Sequence, residues 1–421
     1  MNSRIDVVQF LSEGGLDVKE VPLQQILDQY LIEMDKGLSG KGSLEMIPTY
    51  IEADFDLPSN EKVIVIDAGG TNLRVALVEF DENHKSEITY FTKTRMPGID
   101  KEVSAQEFFS YIANEVKPIA NQSDKIAFCF SYPAEIDENK EGTALFFSKE
   151  IKAPEVIGLP LGASLLKELK SKHKVTILND TVATLLAAKG NETKKVDSYI
   201  GFILGTGTNC AYVEQNKNIK KLKNLKEGSQ IINMEAGGYD LILGPYDKEF
   251  IDQTEEPAIH HWEKMVGGAY LGAFSHFVVE KAVQSYLFSL NFAHNFRKIE
   301  QLDTKAVSDY LTNPYDENHP LKKCVHSELD LFNLILILDS IIRRAAILAS
   351  INISAAVLKT DYKRVAINID GTTFYKTEGL ERYTKEYLEE ILVKHYKREI
   401  DLLKIEDSPI IGSAIATLGN N

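Results

Sequence analysis

Carboxylates, amides, hydroxyls and glycines meet at the ends of β-rich runs in three places along this chain. These are Asp67-Ala-Gly69-Gly70-Thr71-Asn72 with Arg74 beyond, Gly205-Thr206-Gly207-Thr208-Asn209, and Asp370-Gly371-Thr372. Glycine lacks the Cβ that holds a backbone N–H away from an anion, and threonine hydroxyls add further donors. That is chemistry for binding phosphate. An aspartate beside two adjacent glycines makes sense where a magnesium ion bridges carboxylate and polyphosphate, although Asp67 could equally cap its own turn. Two familiar phosphate loops do not fit. Gly205-x-Gly207 runs into β-like sequence rather than the helix of a dinucleotide fingerprint, and Gly40-Lys41 is followed by Gly42 with no strand before it, which rules out a Walker loop.

A second kind of chemistry stands at Asn179-Asp180, inside "KVTILNDTVATLLAAKG" at 174–190. The stretch reads as strand, polar elbow and helix, with Gly190 as the C-terminal cap. Asn179 or Asp180 could simply be the N-cap. The same geometry also suits a general base, because a helix N-terminus favours a carboxylate's charge and the elbow aims it into a cleft, where it could take a proton from a sugar hydroxyl.

The elements that must carry these residues follow from the spacing of apolar positions. Residues 1–56 read as mainly helical and 61–96 as strands; "SAQEFFSYIANEVKPIANQ" opens with Ser104 and Glu107, the capping-box pair that starts a helix. "KIAFCFSYP" is a buried strand and "SYIGFILGTGTNCAYVE" a strand, Gly/Thr turn and strand. Residues 261–296 and 321–359 are helical, 364–379 return to strand and turn, and the last segment gives a short strand, a Gly-containing turn and a small-residue helix. Recurrence of strand, Gly/Thr turn and further β-like sequence predicts three nucleotide-facing hairpins.

At 421 residues the chain exceeds the roughly 250 to 300 that one core can serve, which predicts two lobes. A net charge of -15 and a pI near 5.2 disfavour nucleic acid and anionic membrane as partners. The basic stretch at 217–228 reads as a solvated hairpin edge. Cys129, Cys210 and Cys324 fit neither a disulfide framework nor a zinc knuckle, and no signal peptide or transmembrane run stands out, so a cytoplasmic setting is expected. The most apolar stretch, 329–359, contains Asp339, Arg343 and Arg344 and reads as a long core helix.

Taken in order, these segments resemble the hexokinase family within the actin, Hsp70 and sugar kinase superfamily. "DAGGTNLRVALV" looks like its first phosphate segment, "FSYP" its sugar segment, "LNDTVATLLA" its catalytic segment and "GTGTNCAYVE" its second phosphate segment; "NMEAGGY", "WEKMVGGAYLG" and "IDGTTFYK" complete the series. The resemblance spans residues 63 to about 376, with a weaker match at the C-terminus.

The resemblance implies an α/β, two-lobed ribonuclease H-like fold with the active site between the lobes, 60–178 plus 401–421 forming the smaller and 1–59 plus 179–400 the larger. It implies ATP-dependent phosphorylation of a hexose, glucose foremost, at the 6-hydroxyl, with Mg2+ as cofactor. Asp180 matches the general base, with Lys149 holding the sugar end. Ser131, Ser148, Asn179, Asn209, Glu235 and Glu263 match the groups around the sugar hydroxyls. Asp67, Gly69, Gly70, Thr71, Asn72, Arg74 and Gly205 to Thr208 (Thr206 and Gly207 between them) match the phosphate and magnesium cradle, with Asp67 toward the metal. Gly371, Thr372, Gly412 and Ser413 match the nucleotide side. Where the family's last loop reads Gly-Ser-Gly-Lys-Gly-Ala-Ala, this chain has Ser408-Pro409-Ile410-Ile411-Gly412-Ser413-Ala414, without the basic residue, and Ala236 stands where an aromatic is common. A catalytically silent sugar sensor is the alternative; it would need the sugar ligands but neither the base nor the phosphate cradle.

Overall fold

A computed structural model describes residues 6–147, 151–191 and 195–419. Two mixed sheets organise the chain, and they share one topology. The five-stranded sheet runs Ser86–Arg95, Asn72–Phe80, Glu61–Ala68, Lys125–Phe130, Lys174–Leu178, the first two joins antiparallel and the last two parallel. The six-stranded sheet repeats this with Ser229–Asn233, Thr208–Gln215, Ser198–Leu204, Arg364–Asp370 and Glu399–Leu403, and adds Ile47–Pro48 at its edge. The α/β, two-lobed ribonuclease H-like arrangement expected from the sequence is what the chain adopts.

Alternation along Glu61–Ala68 shows how both faces of a sheet are covered. Ile64 and Ile66 pack with Phe108, Ile112 and Leu165 of the outer helices, while Val63 and Val65 pack with Val182, Leu186, Ile410 and Ile415. The outer helix Ala105–Val116 opens with the predicted box: Ser104 Oγ accepts from Glu107 N–H, and Glu107 accepts from Ser104 N–H at 2.8 Å. Between the sheets lie two helices, Asp180–Gly190 and Ser408–Gly419. A Cβ at Gly201 would collide with the backbone of Thr181 and Leu185, and one at Gly412 with the carbonyl of Ala183. The helix that carries Asp180 is thus clasped on two sides by bare backbone.

Three expectations change. Gly190 is the last residue of its helix and Asn191, at φ -107°, takes the cap position; a Cβ at 190 would press on the Cδ1 methyl of Ile415. The third predicted hairpin is a strand followed by a short helix: Gly371, at φ 119°, ends Arg364–Asp370, and Thr372–Lys376 coils so that Phe374 is fully buried and Tyr375 Oη donates to Ile369 O at 2.9 Å. The boundary expected at 400/401 falls inside the strand Glu399–Leu403, which belongs to the six-stranded sheet.

The apolar stretch is a core helix, Glu328–Thr360, at the centre of the larger core. Its Arg344, 1% exposed, pairs in bidentate fashion with Asp247 at 2.5 and 2.6 Å, a geometry that offsets the cost of burying both charges. Among the described residues no helix is long and apolar enough to cross a membrane.

Candidate active site

A cavity of about 530 Å³ opens between the two sheets, lined by Asp67, Gly69 to Thr71, Asn72, Arg74 and Ser131 from one side. Gly205, Thr206, Gly268, Asp370, Gly371 and Thr372 line the other, and Asp180 faces it from the helix between them. Sequence-distant turns converge because each sheet's central hairpin points its turn into the same gap.

The first loop is held from behind. Tyr132, 2% exposed, places its hydroxyl 3.0 Å from Gly69 O and 3.2 Å from Gly70 O and donates to this pair of carbonyls. With the carbonyls turned back, the space in front of the loop is left open. Neither Gly69 nor Gly70 has a positive φ; a Cβ at Gly69 would meet nothing nearer than 3.6 Å and one at Gly70 nothing within 4 Å. No packing constraint in the protein calls for glycine here, and the bare backbone leaves the loop's face open to the cavity.

Asp67, one residue before the end of its strand, is 2% exposed and pairs at 2.5 Å with Arg74, its cross-strand partner. Burial pushes the Asp67 carboxyl upward, Arg74 offsets part of the rise, and the charge of Asp370 adds to it. Asp370 is itself pushed up, first by burial, while the Gly371 N–H it accepts at 2.6 Å and Arg74 pull it back. One guanidinium therefore pairs with Asp67 on its own wall and acts through its charge on Asp370 of the opposite one. These oxygen donors suit a hard divalent cation. Among the described residues no three His, Cys, Asp or Glu side chains are grouped so as to hold a metal ion between them.

Beside the cavity stands a polar array. Asn179 caps the helix, accepting from Thr181 N–H at 2.9 Å and from Thr181 Oγ1 at 2.6 Å, and so leaves Asp180 in the first turn. Asn209 Nδ2 donates to Asn233 Oδ1 at 2.9 Å, and Asn233 Nδ2 donates to Glu235 at 2.7 Å. Glu263 accepts from Thr208 N–H at 3.1 Å. Glu235 sits at φ 51°, an uncommon conformation for a residue with a side chain. Burial pushes its carboxyl up to about 7, the Asn233 hydrogen bond acts the other way, and the charges of Asp180 and Glu263 add to the rise. Three carboxylates and two amides face one another, an arrangement that can accept from and donate to a ring of hydroxyls.

Several predicted residues have other tasks. Thr208 is 5% exposed and donates to Ile203 O at 3.1 Å, and Gly207 leaves room for the Glu263 carboxylate instead of facing the cavity. Gly412 and Ser413 do not line the cavity: Gly412 permits the close approach to Ala183, and Ser413 is fully buried in the same helix. Pro409 lines the cavity from that segment. Ser148 and Lys149 lie outside the described residues. Sequence reasoning passed over Tyr132 and Asn233, although each stands inside a quoted motif, and noted Asp370 only as part of its turn; the signal was a polar tip or amide within two residues of one already singled out.

Two sheets of one topology around a shared cleft place the chain in the two-lobed, ribonuclease H-like class. Its sequence matches the family described as "Hexokinase" over residues 10–189 and again over 199–418. Hexokinase-1 of Saccharomyces cerevisiae is 29% identical over 444 aligned positions, covering 96% of this chain and 90% of that one. Hexokinase-1 of Schizosaccharomyces pombe is 27% identical, covering 94% and 87%. The solved hexokinase of Schistosoma mansoni, complexed with glucose, superposes with a TM-score of 0.82 at 25% identity over 97% of both chains. The chain belongs to the hexokinase family, kinases that phosphorylate hexoses at the expense of ATP.

Proposed function

We propose that this cleft phosphorylates glucose, or a close hexose, at the 6-hydroxyl, with Asp180 as the general base and Mg2+ between the phosphates and Asp67. The observation that carries the reading is the position of Asp180: it stands in the first turn of a clasped helix, between the open glycine loop and the array of Asn209, Asn233, Glu235 and Glu263. The glucose in the Schistosoma mansoni structure supports the choice of substrate. The lack of a membrane-crossing helix among the described residues is in keeping with a cytoplasmic setting.

Bound MgATP supplies the phosphoryl group and, through the cation, screening of its charge. The chain supplies the rest. Asn209, Glu235 and Glu263 fix the sugar ring through its hydroxyls, so that only one hydroxyl faces Asp180. Asp180 accepts that hydroxyl's proton as the oxygen becomes a nucleophile. The Gly69 N–H closes the turn onto Asn72 O at 3.1 Å, which leaves the Gly70 N–H and the Thr206 hydroxyl to donate to phosphate oxygens, and Asp67 and Asp370 would hold the cation. The two sheets and their helices form the two lobes, which draw together around the sugar and exclude water from the phosphate; Lys149 is assigned to the sugar end.

Asp180→Ala should lower turnover by ~10² to 10⁴-fold while leaving the melting temperature unchanged, as expected for loss of one positioned base. ADP formation from MgATP, followed across a panel of hexoses, measures it; hexose-dependent turnover at the normal rate in the variant would remove Asp180 from the role.

A further inference from the structure

The rim of the cleft carries an aromatic contact between the two lobes. Phe146 and His260 approach with ring centroids 6.3 Å apart and planes inclined at 57°, within the range of favourable tilted pairs. The two rings belong to different cores. Phe147, next to Phe146, packs with Phe108, Phe130 and Tyr132 against the five-stranded sheet. Trp262, two residues after His260, is fully buried with Tyr30 and Tyr239 in the core of the six-stranded sheet.

Each side of the contact is tied to a wall of the proposed hexose site. Leu145 N–H donates to Pro133 O at 3.0 Å, which anchors the Phe146 side to the segment that begins at Ser131. On the other side, the buried Lys264 ammonium donates to Ile259 O at 2.9 Å and to Glu256 O, which fastens the loop before His260 onto the helix that carries Glu263. Phe146 remains 39% exposed and its neighbour Leu145 43%, while Ile259 beside His260 is 44% exposed. With Phe146 exposed and His260 half-buried, the pair lies outside both cores. It does join the lobes beside segments that lead into both walls of the proposed hexose site.

We infer that Phe146 and His260 form a latch across the mouth of the hexose site, positioning residues that favour the closed cleft and thereby retain the sugar. The inference rests on the hexokinase reading and deepens it. The latch acts on a ligand already seated, so its loss should appear in the affinity for hexose and not in the chemical step.

The test is a double-mutant cycle on the full chain. Phe146→Ala and His260→Ala should each raise the KM for glucose by about 2- to 12-fold, the worth of one aromatic pair, with kcat and the KM for MgATP unchanged. The double variant should be no worse than either single one, and His260→Phe should restore most of the lost affinity. Glucose titrations monitored by Trp262 fluorescence on the same variants make the two readings separable: a wild-type chain that binds glucose without turning over, with binding weakened in both variants, would sustain the latch and sink the kinase. Unaltered glucose affinity in the single variants, losses that multiply in the double variant, or a fall in kcat at constant KM would each overturn the latch.

Discussion

Gly70 and Gly412 look alike in the sequence, each a glycine beside small or hydroxyl residues in a segment matched to nucleotide, yet the structure needs them for opposite reasons. Around Gly70 there is open space: no protein atom lies within 4 Å of where a Cβ would be, and its φ is not positive. Around Gly412 there is no space at all, because the backbone of Ala183 occupies it. One glycine borders open cavity, where we propose that phosphate binds, and the other makes room for a neighbour. The sequence pattern is the same in both places, and only three-dimensional surroundings separate a binding glycine from a packing one.

Substitution at these two positions would break or sharpen the contrast. The largest effect is expected for Gly412→Ala, where the added methyl must push the two helices apart. Overpacking of this kind costs ~1–3 kcal/mol, and a displacement of about 1 Å in the helix that carries Asp180 would lower turnover by roughly 10²-fold. Thermal melting and kcat should fall together; a variant that melts normally and loses only ATP affinity would restore Gly412 to the nucleotide site. Gly70→Ala should behave in the reverse way, with a melting temperature equal to or slightly above wild type, since alanine reduces the freedom of the unfolded chain, and a KM for MgATP raised by roughly 10-fold, about the worth of one charge-assisted hydrogen bond. If that variant melts low with a normal KM for MgATP, the contrast fails.

The smallest effect concerns the array beside the cavity. Glu235 has its folded-state carboxyl raised to about 7 from an ordinary value of 4.5, so the folded chain binds the proton more tightly than the unfolded one. The stability this proton contributes is complete below about pH 4.5 and is lost as pH rises through 7. Glu235→Gln should flatten the decline in melting temperature across that window by a few degrees at most, since in a chain of 421 residues each kcal/mol moves the midpoint by only about 1 °C. Identical pH profiles for the two proteins would show that Glu235 is not held in that state.

Much of the fold was legible because its signals are local. The capping box at Ser104 and Glu107 needs four residues to be recognised, and strands such as Glu61–Ala68 announce themselves by apolar runs that end in turn residues. The order of the motifs carried the family. What escaped was set by contacts between distant segments. Gly190 reads as a cap until Ile415 is seen against it, and "IDGTTFYK" reads as a hairpin until Phe374 is found in the core. Asn233 serves Glu235 and Asn209 from a strand whose partner is placed by the sheet, and Tyr132 acts on a loop more than sixty residues earlier in the chain. No periodicity in the neighbouring sequence reports such pairings.

The position of the helix Ser408–Gly419 also bears on how the chain is made. It covers the inner face of a sheet whose strands begin at Glu61 and are complete by Leu178, through Ile410, Ala414 and Ile415 against Val63, Val65 and Ala127. During synthesis from the N-terminus at ~5–20 residues per second, that apolar face leaves the ribosome on the order of 10 to 50 s before the helix that closes it. The early half of the molecule must therefore pass through a long interval with a half-finished core, in which a holding chaperone has a surface to bind and an aggregate has one to grow from.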